Sequence, residues 1–186
     1  VPKLTPAFVA KWSGRYPLSA LETQLFGTDG PAIKKRGHLF RSELLDIAYW
    51  KSGGRNVGSI DENNTDWEIR ETSKAAFAAP QGIQHRILAT LHGVNVRMAT
   101  AILAVVYPKR DTVLDVRALS ALAELRRLGD LAAPLPLYSE GLPLYSEGLP
   151  AYADYVKVCA DLARGVGCDL RTLDRTLWTW DKAGLP

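Results

Sequence analysis

Cysteine is scarce in this chain. Cys159 and Cys168 are the only two, both near the C-terminal end. They give no sign of an oxidising compartment and are expected as reduced, partly buried thiols. Histidine offers little for metal work either: the chain has three. His85 and His92 stand seven apart, with no acidic or cysteine partner suitably spaced, so neither is assigned to a metal. No apolar run approaches the length of a membrane span, and Val1-Pro2-Lys3 does not open a signal peptide. A cytoplasmic protein without membrane contact is the expectation. Convincing alternation of apolar and polar residues is also missing. Only Thr112-Val113-Leu114 reads as extended, which argues against a sheet protein.

What is present is helical pattern. The 186 residues suffice for one well-packed domain or two small lobes sharing a core, and 47% are hydrophobic. Thr5-Pro6 reads as a cap and first helical position. A second short segment spans 18–26, broken by the glycines of Gly27-Thr-Asp-Gly30. Residues 41–50 form a third helix, stopped by Gly53-Gly54. Thr65-Asp-Trp-Glu68 is a capping box, and Pro80 ends the helix it opens. Further helices are expected over 116–128, 152–163 and 170–180.

The formal charge of +3 says little, but its distribution says more. Residues 1–130 hold 18 of the 23 Lys and Arg and 13 of the 20 Asp and Glu, a balance of +5. The rest of the chain stands at −2. Lys34-Lys35-Arg36 lies in the positive part, an arrangement that suits phosphate, although a solvated face explains it almost as well. Leu-Pro-Leu-Tyr-Ser-Glu-Gly at 135–141 recurs at once at 142–148. Proline and glycine in every unit forbid a coiled coil, so the repeat reads as a duplication in a surface loop.

The most informative stretch is 91–117. Leu91-His-Gly-Val-Asn-Val-Arg ends one helix, turns at Gly93-Val94-Asn95 and restarts a small, apolar helix at Val96. Glycine and asparagine both tolerate left-handed backbone, and together they would allow a sharp reversal. The restarting helix presents unpaired amides, which favour a phosphate oxygen. After Tyr107-Pro108 the chain runs briefly extended and sets Asp115, 22 positions after Gly93, before the next helix.

Over roughly residues 85–127 this pattern resembles the helix-hairpin-helix DNA glycosylase superfamily. That family carries Leu-Pro-Gly-Val-Gly, a small-residue helix and an aspartate at the same spacing. The resemblance implies an all-α fold of two helical lobes flanking a cleft, formed by a single domain: one lobe from about 1–30 with 130–186, the other from 31–129. It implies a monomer that binds double-stranded DNA near the nucleoid, flips an altered base and cleaves its N-glycosidic bond, with Asp115 as catalytic residue. Gly93, Val94, Asn95 and Arg97 would contact DNA. Lys51 and Arg55, beside Gly53-Gly54, are further candidates for phosphate contact, with a solvated loop the plainer role. Hairpin carbonyls of Gly93 and Asn95 would hold a sodium or potassium ion. Tyr49, Trp50 and Trp67 are the candidates for a base pocket, with core packing the plainer role for each.

The departures shape the expectation. His92 replaces the family proline and Asn95 the second glycine. The four-cysteine loop of iron–sulfur members is missing, so no cluster is expected. Arg97 stands where bifunctional members carry a lysine, and a guanidinium is a very poor nucleophile. A monofunctional enzyme without a Schiff-base step follows. Two alternatives stay open: a non-catalytic DNA-binding module in which Asp115 is only a helix N-cap, and a helical adaptor with no salt-dependent DNA affinity. Trp178 and Trp180 either pack the core or, for Trp180, cover the end of the last helix. Arg171, Asp174 and Arg175 read as an ion-paired helix surface, with buried pairing to another helix as the lesser alternative.

Overall fold

The computed structural model describes residues 3–131 and 149–185, without the side chains of 149–151. The duplicated segment 135–148 lies outside the described residues. Eleven α-helices appear among the described residues, and no strand does. They are α1 (Pro6–Ser13), α2 (Ala20–Gln24), α3 (Gly30–Arg36), α4 (Arg41–Ser52), α5 (Val57–Asn63) and α6 (Asp66–Ala78). Then come α7 (Gln81–Leu88), α8 (Val96–Val106), α9 (Val116–Arg127), α10 (Leu149–Gly165) and α11 (Leu170–Lys182). The protein is all-α over these residues, and none of its described helices is long and apolar enough to cross a membrane.

The chain divides into two compact units, Leu18–Val113 and the pair Val1–Pro17 with Leu114–Pro186. The lobes expected from the sequence divide near 30 and 130. The divisions fall at 17/18 and 113/114 because α3 packs on α8 within the first unit, while α9 packs on α11 within the second.

The unit 18–113 is built around α8. Every residue from Met98 to Val106 is buried, and α3, α4 and α7 all pack on this helix. A helix apolar on all sides must be enclosed, and the small side chains of Ala99, Ala101 and Ala104 let its neighbours approach closely. The expected break at 27–30 does not occur. A π-helical turn, Leu25–Asp29, carries the chain from α2 straight into α3. Gly30 serves close packing there: a Cβ would stand 2.2 Å from the Val105 carbonyl oxygen. The helix stops later, at Gly37, which is left-handed at φ +80°.

Polar bonds lock the remaining joints of this unit. The buried Ser73 hydroxyl accepts the Leu39 amide at 2.9 Å, tying the entry of α4 to α6. Gln84 donates to the carbonyls of Phe77 and Ala79, which α6 leaves unsatisfied at its end. Trp50 donates its indole N–H to the buried carboxylate of Glu22 at 3.1 Å.

In the other unit α11 is the centre. Leu170, Leu173, Leu177 and Trp180 form its buried stripe, against which α1 and α9 pack. Trp180 is 1% exposed and meets the Phe8 ring edge-on at 5.1 Å, so it belongs to the core rather than to an exposed helix end. Arg171 pairs with Asp174, whose side chain is 6% exposed, and donates to the Tyr16 hydroxyl at 3.1 Å. The expected ion-paired helix surface is thus a mostly buried pair. Burial makes that pair worth keeping intact: removing one partner would strand the other's charge. Tyr152, Tyr155, Cys159 and Ala163 bury one face of α10. Both cysteines are free, Cys159 buried and Cys168 half-buried. Burial pushes the Cys159 thiol up to about 12, which makes it inert.

Candidate functional site

The hairpin belongs wholly to the unit 18–113. α7 ends at Leu88, two turns follow, and α8 begins at Val96. Gly93 is left-handed at φ +75°, as its residue type suggests. A Cβ on Gly93 would come within 2.8 Å of Ile60 Cγ1, so the turn rests directly on α5. Asn95 departs from expectation. Its φ is −83° with ψ 175°, an extended N-cap and not a left-handed turn residue. Its Oδ1 accepts the Met98 amide at 3.0 Å, the standard reward for asparagine at that position.

A clamp lies beneath the turn, without a signal in the local sequence. Asn64, 6% exposed at the end of α5, accepts the His92 amide through Oδ1 at 2.9 Å. Its Nδ2 donates back to the His92 carbonyl at 3.0 Å and to the Ile60 carbonyl at 2.7 Å. One buried amide thus holds both backbone groups of the residue before Gly93. The partners lie 28 positions apart, so no local pattern could have exposed them.

Val94 also departs from expectation. Its side chain is buried and its amide donates to the Leu91 carbonyl at 3.1 Å, so it anchors the turn and does not offer an amide outward. The Asn95 carbonyl accepts the first helical bond of α8, from Ala99 at 2.9 Å, and so points along the helix. Arg97 is half-buried with its Nε shielded from solvent. His92 is exposed at the turn.

The aromatic candidates are not brought together. Trp67 is 66% exposed and lines an open groove of 530 Å³ with Leu39, Phe40, Arg41 and Arg70, beside the start of α4. Tyr49 and Trp50 sit at the far end of α4. Eight or nine residues of helix put roughly 12–13 Å between those ends. Trp50 meets Phe26 edge-on at 5.4 Å, while Tyr49 is exposed beside Gly54. Adjacent residues on a helix point about 100° apart, which separates these two as well. Lys51 is half-buried on α4. Arg55 is exposed, its Nε donating to the Ser52 carbonyl at 3.0 Å.

Asp115 belongs to the other unit. It is extended at φ −119° and ψ 142°, caps α9, and accepts the Arg117 amide through Oδ1 at 2.9 Å. Its side chain is half-buried. Arg117 in turn donates to Asp181 at 2.9 Å and lies over the Trp178 ring. The segment before the aspartate is not a strand; Thr112, Val113 and Leu114 are simply buried. Among the described residues no group of three or more His, Cys, Asp or Glu is placed to hold a metal. No protein-family model, curated protein or solved structure matches this chain.

Proposed function

We propose that this protein is a helix-hairpin-helix DNA-binding protein of the glycosylase type, which excises an altered base from duplex DNA without a Schiff-base step. The reading rests on one observation above the others: a left-handed Gly93, clamped from below by Asn64, immediately before a helix whose cap is a neutral asparagine. The first amides of α8, those of Val96 and Arg97, lead out of that helix end, where the macrodipole favours a phosphate oxygen. Arg97 and the exposed His92 edge the same turn. The hairpin is the strand-holding part.

Asp115 is the chemical part of this proposal. A carboxylate fixed by a backbone amide needs no reorganisation to stabilise a developing oxocarbenium sugar, and it orients the water that replaces the base. Arg97 cannot form an imine with the sugar, so the product is an abasic site in an intact strand. Double-stranded DNA is the partner, and the protein acts as a monomer.

A second reading has its own support, since the Arg117 amide bond to Asp115 is what an ordinary N-cap makes. One experiment separates the two. The protein is incubated with duplexes carrying a panel of altered bases, then treated with and without alkali. Strand breaks that need alkali support the glycosylase; salt-sensitive binding with no excision on any duplex leaves the non-catalytic module. A covalent adduct trapped by borohydride would contradict the role given to Arg97.

A further inference from the structure

A second concave surface lies at the opposite end of α8 from the hairpin. Phe26, Pro31, Val106, Tyr107 and Pro108 form its apolar part, and Lys34, Lys109 and Arg110 its charged part. We propose that this groove is a binding site for a nucleoside monophosphate. It goes beyond the DNA-binding reading and does not depend on it.

The groove has the right size and the right two-part chemistry. Its volume of 540 Å³ falls within the range of small-ligand pockets, about 300–1,000 Å³. No carboxylate lines it among the described residues. Arg110 is held in place: its Nε donates to the buried Asp111 at 2.7 Å, another nitrogen bonds Gln84, and the guanidinium lies 4.0 Å from the centre of the Tyr107 ring. Asp111 therefore accounts for the charge of Arg110. Lys34 and Lys109 are both exposed and bring positive charge that no lining acid offsets. A cation just beyond a helix C-terminus is ordinary, since the dipole favours it there. That accounts for Lys109 and Arg110 after α8, and equally for Lys34 in the last turn of α3; what it does not account for is that the two helix ends bring their cations to one apolar recess, with Lys34 5.6 Å from the centre of the Tyr107 ring.

An anion with a flat apolar portion complements such a surface. A phosphate would sit between Lys34 and Lys109. A base would lie on the half-buried Phe26 ring, flanked by the two prolines. α8 has 11 residues, so its ends stand about 16 Å apart. A mononucleotide in the groove leaves the hairpin untouched.

The test titrates the whole chain with AMP, adenosine and inorganic phosphate, by calorimetry and by tryptophan fluorescence. Trp50 touches Phe26 edge-on and should report occupancy. AMP is expected to saturate a single site at least tenfold more tightly than adenosine or phosphate. The exposed-site variant K34E/K109E should weaken AMP at least tenfold with an unchanged circular dichroism spectrum, while N95D at the hairpin should leave AMP binding as it was. Equal affinity for phosphate and AMP would reduce the groove to an ion-pair surface and overturn the proposal. So would AMP binding indifferent to K34E/K109E, or no saturation at millimolar AMP. An oligothymidine strand that displaces AMP at far lower concentration than AMP itself would reassign the groove to single strands.

Discussion

α8 and α9 begin alike and differ in one charge. Each opens on an extended residue whose side-chain oxygen accepts a first-turn amide: Asn95 from Met98, Asp115 from Arg117. The neutral cap satisfies the amide and leaves the positive end of the helix dipole uncompensated. The anionic cap satisfies the amide and also compensates the dipole. One helix end is therefore prepared to receive negative charge, and the other already contains it. Local geometry alone would not separate these roles; the identity of one side-chain atom does.

The sharpest way to break the comparison is Asp115→Asn, which turns the charged cap into the neutral one. Asparagine caps as well as aspartate, so the melting temperature should hold. Excision should fall by at least about 10²–10³-fold, with duplex affinity retained. Excision at the parental rate in a single-turnover assay would remove Asp115 from the chemistry.

The reverse exchange, Asn95→Asp, gives α8 the charged cap. Stability should again hold, but duplex affinity should drop by about tenfold, because the new carboxylate faces the phosphate. A fluorescence-anisotropy titration at two salt concentrations measures it; an unchanged dissociation constant would mean that this helix end does not meet the backbone.

Gly93→Ala leaves both caps alone and attacks the turn between α7 and α8. A left-handed alanine that also meets Ile60 should cost about 1–2 kcal/mol, read as a shift in the urea midpoint. Asn64→Ala should cost a similar amount, since it strips a partner from the His92 amide.

Acidification gives the smallest contrast. In the unit that carries the hairpin, burial lowers His85 below its ordinary 6.5; neighbouring Arg86 adds to this and Asp111 opposes it. Below pH 6.5 the unfolded chain takes a proton that the folded one refuses, so stability falls with pH in that window. In the other unit, burial raises Tyr155 well above 10 and Cys159 to about 12, and neither titrates there. Amide exchange, corrected for the intrinsic pH dependence of the chemistry, should therefore quicken in α7 between pH 7 and 6 and stay level in α10. Equal acceleration in both helices would refute the assignment.

Much of the architecture was legible because its signals are local. The Thr5 and Thr65 caps, the Gly53 stop and the apolar run of α8 each depend on neighbours within a few positions. The misreadings share a cause. Gly30 looked like a breaker, whereas it makes room for a carbonyl 75 residues further on. Val94 looked like an outward amide, but its N–H donates to the Leu91 carbonyl; Asn95 looked like a left-handed turn residue, but it is the extended cap whose Oδ1 accepts the Met98 amide. Trp67 and Trp50 looked like one pocket until α4 placed them at opposite ends. Asn64 and the pairing of Arg171 with Asp174 depend on burial, which composition does not reveal. The spacing of Gly93 and Asp115 suggested a chemistry, and testing it requires DNA.

Met98 is the only methionine in the chain, is 2% exposed, and donates the amide that Asn95 receives. Labelling one methyl type therefore yields one resonance, placed a single helical turn below the bend. Anything that docks there has a built-in reporter, with no need for an attached dye or an introduced residue.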